Sequence, residues 1–401
     1  MKNIFATFLL FISFSSIAQQ TDIRGTLKDA TTKEPIISGT VGLKNSSVGT
    51  ITNEEGAFQL TVSKTAQVII SCLGYKLITL NASDFTDETK TIFMEQNIEI
   101  LEEVVISKTP IHQILEEIIA ISKVRFDKPI VLNTYYREFV KTNGKYIRFS
   151  DGLLDYHISG DAQKTKSDLV VKQNRSVLLP ISDEEEDDFD LGSILDIQKG
   201  YGYSFGTLNG YIIEDNKYED YDLGLKSKKS KEGKEFLVIT IEPKPEVEKA
   251  LFKGTITYDP ETKLIYDYDL FYAPSHTKYV KEINLLIARL SILDIKLKAS
   301  YKMVNDNYLI SNTNRYVKFK VWTKKHSTLS ESRSDLLVTD FRKEDLTYNK
   351  KEVYTKKYLY KKQSQYENKF WQKNNAIVLT TEEEKIIDDL EKESKVLLKQ
   401  N

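Results

Sequence analysis

The chain has 401 residues, 40% of them hydrophobic, with a net charge of -2 and one cysteine. That is enough apolar material for one or two buried cores. The near-neutral charge gives no footing for nucleic acid or an anionic membrane as partner, and a lone cysteine excludes an internal disulfide.

Residues 1–18 read as a secretory signal peptide. Lys2 supplies the positive start, Ile4 to Phe14 the apolar core, and Ser16-Ile17-Ala18 the small-x-small cleavage site. The apolar run is shorter than the roughly 20 residues that cross a bilayer, and no Cys follows it to receive a lipid. Leu285-Leu286-Ile287-Ala288 is cut off by Arg289 and then Asp294. The expectation is export to the periplasm or the periplasmic face of the outer membrane, with no transmembrane segment in the mature chain. The lack of disulfides suits a bacterial envelope.

From residue 19 to about 96 the chain alternates and turns at short intervals, the habit of a β-sandwich. Ile23 to Leu27 and Thr40 to Leu43 are short strands. Asn53-Glu54-Glu55-Gly56 turns into Ala57 to Val62, where Phe58, Leu60 and Val62 share a face. Val68 to Cys72 is a continuous apolar run, expected to be a strand covered on both sides, with Cys72 a small buried side chain.

These residues carry a resemblance. Ile23-x-Gly25, Asp29-x5-Pro35, Gly49-Thr50-x-Thr52-x3-Gly56-x-Phe58 and Ser71-x2-Gly74-Tyr75 resemble the carboxypeptidase regulatory-like (transthyretin-like) domain. The resemblance implies a seven-stranded-type sandwich without catalysis of its own. Asn53 stands where that family most often has Asp, which preserves the turn chemistry. Leu101-Glu102-Glu103-Val104-Val105-Ile106 is similar to the strand that follows this domain in TonB-dependent transporters. The roughly 300 residues beyond it are too few for a plug and a barrel of about 22 strands.

Residues 97–130 read as a linker strand and an amphipathic helix. Thr109 is the expected N-cap and Pro110 the first helical residue. Ile111, Ile114, Leu115, Ile118, Ile119 and Ser122 then fall on one stripe. Residues 131–372 read as an antiparallel β-rich domain. Asn143-Gly144 marks a two-residue hairpin between Leu132–Thr142 and Lys145–Ile158. Phe236 to Ile241, Phe252 to Tyr258, Ile295 to Val304 and Tyr308 to Trp322 continue as strands, and Leu264, Tyr266, Tyr268, Leu270 and Tyr272 alternate on one face. Residues 373–401 form a charged helix opened by a Thr380/Glu383 capping box, with Ile386, Leu390 and Leu397 along one side. The fold class is therefore mainly β with some α: a sandwich, then a curved sheet or half-barrel with flanking helices. A membrane barrel would end on an aromatic strand; this chain ends on a helix.

The chemistry is sparse. His112, His157, His276 and His326 stand apart with no zinc-ligand spacing, and His157 reads as a half-buried neutral side chain. There is no Gly-x-Ser-x-Gly and no Gly-rich phosphate loop, so no enzyme activity, catalytic residue, cofactor or metal is expected. Asp183 to Asp188, extended by Asp190, lacks the spacing and central Gly of a calcium loop and reads as a solvated loop. Lys226 to Lys234 reads as a basic hairpin tip. Aromatic residues supply the remaining signal. Tyr201, Tyr203, Phe205, Tyr211, Tyr218 and Tyr221 crowd a Gly-punctuated segment, and Tyr offers rigid amphipathic area for binding as readily as for packing. Tyr201, Tyr203, Phe205, Tyr211, Tyr266, Tyr268 and Tyr272 are the candidate ligand or partner surface.

Two readings of function follow. One is a non-catalytic exported envelope protein with a binding or structural role, meeting another envelope protein. The other is a periplasmic carrier that holds a lipid or other hydrophobic ligand in a curved sheet. A fold-level likeness to the lipoprotein-carrier half-barrel suggests the second, and fold alone does not give function.

Overall fold

The computed structural model describes residues 20–72, 74–86, 89–126, 129–160, 165–179, 196–199, 203–230, 235–285, 288–323, 327–363 and 377–400. The expected signal peptide, the acidic run 183–190, Tyr201, His326 and the end of the basic tip (231–234) lie outside the described residues. The chain divides into two compact units, residues 1–96 with 369–378, and residues 97–368 with 379–401.

The first unit is a sandwich of two sheets. Strands β1 (Gln20–Asp29), β4 (Ala57–Ser63) and β7 (Lys90–Met94) make one, in the order β4-β1-β7. Strands β2 (Thr40–Leu43), β3 (Gly49–Ile51), β5 (Gln67–Ser71) and β6 (Ile78–Asn81) make the other, in the order β3-β2-β5-β6. Ile23, Leu27, Phe58, Leu60, Val62, Val68 and Ile70 fill the space between them, as alternation along each strand requires. In β5 only alternate residues are buried. Val68 and Ile70 face the core, whereas Ile69 and Ser71 are half-buried, so the expected two-sided cover is corrected to one. Cys72 is half-buried against the same core.

Two residues of the family pattern meet to close this unit. Asp29 Oδ1 accepts the backbone N–H groups of Thr31 and Thr32 at 2.7 and 2.8 Å. Its Oδ2 accepts from the Tyr75 hydroxyl at 2.9 Å and from Gln96 Nε2 at 2.6 Å. Those donors, the Thr32 amide foremost, hold the Asp29 carboxyl well below the usual range. Burial first, then the Asp29 charge, pushes the Tyr75 hydroxyl up to about 12. Asn53 shows why an amide serves at its position. Its Oδ1 accepts from Glu55 N and Ala57 N, as Asp would, while its Nδ2 donates to Val378 O at 3.2 Å. A carboxylate has no proton for that third bond.

The second unit is built on one large antiparallel sheet. Its strands are β8 (Ile98–Val104), β9 (Ile130–Thr142), β10 (Lys145–Gly160), β11 (Thr165–Leu178), β12 (Tyr221–Ser230), β13 (Glu235–Pro243), β14 (Phe252–Tyr258), β15 (Ile265–Tyr272), β16 (Ile283–Leu285), β17 (Ala288–Val304), β18 (Asn307–Thr323) and β19 (Ser327–Arg342). They run in the order β11-β10-β9-β19-β18-β17-β15-β14-β13-β12-β8, with β16 paired to β17. Two meanders are thus joined where β19 pairs with β9, Asp335 opposite Arg137. Strands β11 and β8 are the free ends, so the sheet is open among the described residues. The hairpin between β9 and β10 forms where Asn143-Gly144 predicts it. Asn143 has φ 51° and Gly144 φ 83°, the left-handed pair that a tight turn between twisted strands needs.

Helix α1 (Ile111–Arg125) lies on one face of this sheet, the inner face. Ile114, Leu115, Ile118, Ile119 and Ser122 are its buried residues, the stripe the sequence predicts. Leu115 and Ile118 are fully buried, and each such side chain contributes about 1.5–3 kcal/mol. The N-cap is Pro110 rather than Thr109, with no side-chain cap. Proline in extended geometry starts the helix one residue later than expected.

Helix α2 (Tyr203–Leu208) continues as a π-helical turn, Asn209–Ile213, and Leu208 and Ile212 join the same core as α1. Helix α3 (Thr381–Gln400) packs on the other face. Ile387 and Leu390 meet Phe139, Phe149 and Leu179 there, with Ile386 at the margin. The capping box forms: Glu383 N donates to Thr380 Oγ1 at 3.1 Å and Thr380 N donates to Glu383 Oε2 at 2.9 Å.

Candidate functional site

The structure brings several of the aromatic candidates together around one core and sets Tyr266 apart from them. Phe205 stacks on Tyr301 at 4.9 Å and meets Phe126 edge-on at 6.2 Å. Tyr211 and Tyr272 both pack on Phe252, at 4.4 and 4.9 Å. Tyr268 is buried in the inner-face core, where burial raises its hydroxyl well above the usual range. Tyr203 lies in α2, and Tyr201 is outside the described residues. Tyr266 departs from its neighbours. A shift of register beside Tyr258 interrupts the alternation, and Tyr266 packs edge-on against Phe236 at 5.3 Å instead of beside Tyr268. The bulge breaks the single face expected for Leu264 to Tyr272.

Two other tyrosines of the same segment, Tyr218 and Tyr221, line a cleft. It has a volume of about 520 Å3 and is bounded by Ile111, His112, Tyr218, Glu219, Tyr221, Leu223 and Lys244. That volume falls in the range of small-molecule sites, although the depression is widely open to solvent. Each wall has an identifiable cause. Ile111 and His112 open α1, so their side chains stand at its uncapped end.

The backbone then takes an unusual route from the π-helical turn to β12. Asp215 and Asn216 both adopt left-handed conformations, with φ 59° and 58°. Asp and Asn tolerate this better than other non-glycine residues. Two in succession hold backbone strain of the kind that collects at binding sites, as π-helical turns also do. The detour delivers Tyr218 onto His112, rings parallel within 7° and centroids 4.2 Å apart.

Lys244 forms the remaining wall. It sits between Pro243 and Pro245, which restrict the backbone on both sides. Its N–H donates to Asp220 O at 3.0 Å, and its carbonyl meets buried His276 Nε2 at 3.2 Å. The ammonium donates to Glu219 O at 2.8 Å. Tyr221 is buried in the floor with its hydroxyl accepting from Phe252 N at 3.2 Å. Burial pushes that hydroxyl up to about 12, so it stays protonated. Sequence reading singled out the Tyr segment but neither His112 nor Lys244, which lie 106 and 26 residues from Tyr218 by their numbers. The Pro-Lys-Pro run was the available signal for the second.

A second polar group lies on the inner face and is closed to solvent. Tyr136, Gly152 and Asn174 stand in one row across β9, β10 and β11, with Glu138, Ser150 and Ser176 in the next. Glu138 Oε1 accepts from Arg148 Nη2 and Ser332 Oγ, both at 3.3 Å. Tyr136 Oη, Glu138 Oε2, Arg148 Nε and Asn174 Oδ1 are buried without hydrogen-bond partners among the described residues. His157 is buried on the opposite face, its ring 3.9 Å from Tyr348. Burial above all pulls its pKa below the usual value. Among the described residues no group of three His, Cys, Asp or Glu side chains is placed to hold a metal, and no helix is long and apolar enough to cross a membrane.

Residues 23–106 match the model of the CarboxypepD_reg-like domain family. Over 97 residues the chain is 34% identical to the TonB-dependent receptor SusC of Bacteroides thetaiotaomicron, a match covering 24% of this chain and 9% of that receptor. A DUF1329 family protein from Desulfovibrio piger aligns with 58% of this chain and 92% of its own, at 10% identity and a TM-score of 0.25. A LolA superfamily protein from Nitrosomonas europaea aligns with 58% and 97%, at 10% identity and a TM-score of 0.18. Neither likeness defines a fold for the large sheet. The family match takes in all of β2 to β7 and most of β1, and runs on through β8, the edge strand of that sheet. Residues 23–106 therefore match a carboxypeptidase regulatory-like domain, and the open antiparallel sheet takes in β8 at the end of that match and the strands beyond it.

Proposed function

We propose that this chain is a non-catalytic, exported protein of the cell envelope that binds a ligand or partner through its C-terminal sheet domain, with the regulatory-like domain as an accessory module. The cleft between the first turn of α1, residues 218–223 and Lys244 carries the reading. An aromatic pair, a charged rim and strained backbone converge there, a combination that core packing does not require. The envelope setting is supported by the domain shared with a TonB-dependent receptor and by the leader-like composition of residues 1–18.

The inner face is filled by the chain's own α1, α2 and π-helical turn, whose Leu115, Ile118, Leu208 and Ile212 are fully buried. That packing favours a binding or scaffolding role over a carrier with an acyl chain laid against the sheet. Native mass spectrometry of the full chain, purified from the envelope of its own cells, tests this. A bound species present in the wild type and absent from Tyr218→Ala is expected. An adduct of lipid mass that survives Tyr218→Ala would instead support the carrier.

A further inference from the structure

The cleft's rim has a charge pattern that its own structure leaves unused. The Lys244 ammonium donates to the Glu219 backbone carbonyl, and no carboxylate pairs with it among the described residues. The Glu219 side chain is exposed and likewise makes no ion pair or hydrogen bond there. Two neighbouring ion pairs do form, Lys249 with Asp220 at 2.8 Å and Lys253 with Glu242 at 2.8 Å, while Lys217, like Lys244, donates to a backbone carbonyl, that of Gly210. A cation and an anion with no ion-pair partner among the described residues thus sit together on the rim, beside a floor of Ile111, Tyr221 and Leu223 and a wall of stacked His112 and Tyr218. The first turn of α1 carries no acidic residue, so the helix dipole adds to the positive side.

We propose that the cleft takes a short zwitterionic peptide or amino acid, its carboxylate on Lys244, its ammonium on Glu219 and an apolar side chain against the Tyr218–His112 wall. The proposal rests on the cleft being the binding site and adds the ligand class. A hydrocarbon chain would leave both charges unanswered. A simple anion would use Lys244 and be repelled by Glu219. A ligand with both termini uses both, and the flat ring pair accounts for an apolar or aromatic side chain between them.

Isothermal titration calorimetry of the full chain tests this with the tripeptide glycyl-phenylalanyl-glycine in free, N-acetylated and C-amidated forms. The free peptide should bind one to one, and blocking either end should weaken it at least about fivefold. Lys244→Ala should abolish the penalty for C-amidation and keep that for N-acetylation; Glu219→Gln should do the reverse. Equal binding of free and blocked peptides would overturn the assignment of termini. No peptide binding at all, in a protein that still takes up a Tyr218-dependent species from its envelope, would overturn the ligand class and leave the cleft as the site.

Discussion

Arg137 Nη1 donates to Glu383 Oε2 at 2.9 Å, which ties the middle of β9 to the first turn of α3. Both side chains are almost fully buried. Arg137 Nε also donates to Asp335 Oδ2 at 2.6 Å, and Arg333 pairs with the other Glu383 oxygen. Burial alone would make Arg137 easier to deprotonate, but Asp335 and Glu383 together hold it firmly charged. Glu383 closes the helix capping box as well, so one carboxylate caps α3 and neutralises the sheet beneath it. Glu383→Ala should therefore cost about 3–5 kcal/mol, the range for leaving a buried charge short of its partner. Chemical denaturation would show it, with faster amide exchange in α3. A loss under about 1 kcal/mol would mean the pair is exposed in solution.

The inner-face polar row makes a prediction of opposite sign. Tyr136 Oη is buried without a partner among the described residues, whereas Tyr308 Oη donates to Ile265 O at 2.6 Å. Tyr136→Phe should leave stability unchanged or raise it by up to about 1 kcal/mol, while Tyr308→Phe lowers it by about 1 kcal/mol. The two midpoints in urea, compared at equal slope, decide it.

Ser122 shows how α1 is locked to the sheet. Its hydroxyl is fully buried and accepts the Ile265 N–H at 3.0 Å. Ser122→Ala removes little volume but orphans a strand N–H, so a loss of about 1–3 kcal/mol is expected. A neutral result would show that water reaches β15 there.

Acid titration should separate half-buried Asp267 from buried His157. Burial, the largest influence, pushes the Asp267 carboxyl up to about 6. Its native form binds a proton more readily than its unfolded form, so the burial penalty is present above pH 6 and is relieved as pH falls toward 4. Asp267→Asn should stabilise the protein at pH 7 by on the order of 1 kcal/mol and make no difference near pH 4. His157 acts the other way. Its pKa is lowered, so the unfolded chain takes up the proton first and stability falls as pH drops below about 6.5. His157→Phe should flatten that limb of the stability curve.

Much of this architecture was legible because it is local. The α1 stripe, the Asn143-Gly144 hairpin and the Thr380/Glu383 box are each specified within a few residues, and each formed. What the sequence hid is long-range. Nothing near Arg137 announces that Asp335 will lie opposite or that Glu383 will cover it. The bulge that turns Tyr266 away comes from pairing with β14, not from its own neighbours. The cleft was half visible. Tyr218 and Tyr221 stood out by composition, but His112 and Lys244 reach them only through the fold, and the left-handed pair Asp215-Asn216 that steers Tyr218 carries no glycine to mark it.

Hydrogen–deuterium exchange of the full chain, with and without extract of its own envelope, tests binding at the cleft most directly. Slower exchange is expected in the first turn of α1, in residues 209–221 and around Lys244, and it should vanish in Tyr218→Ala. Protection confined to the free edge of β11, or unchanged by Tyr218→Ala, would contradict it.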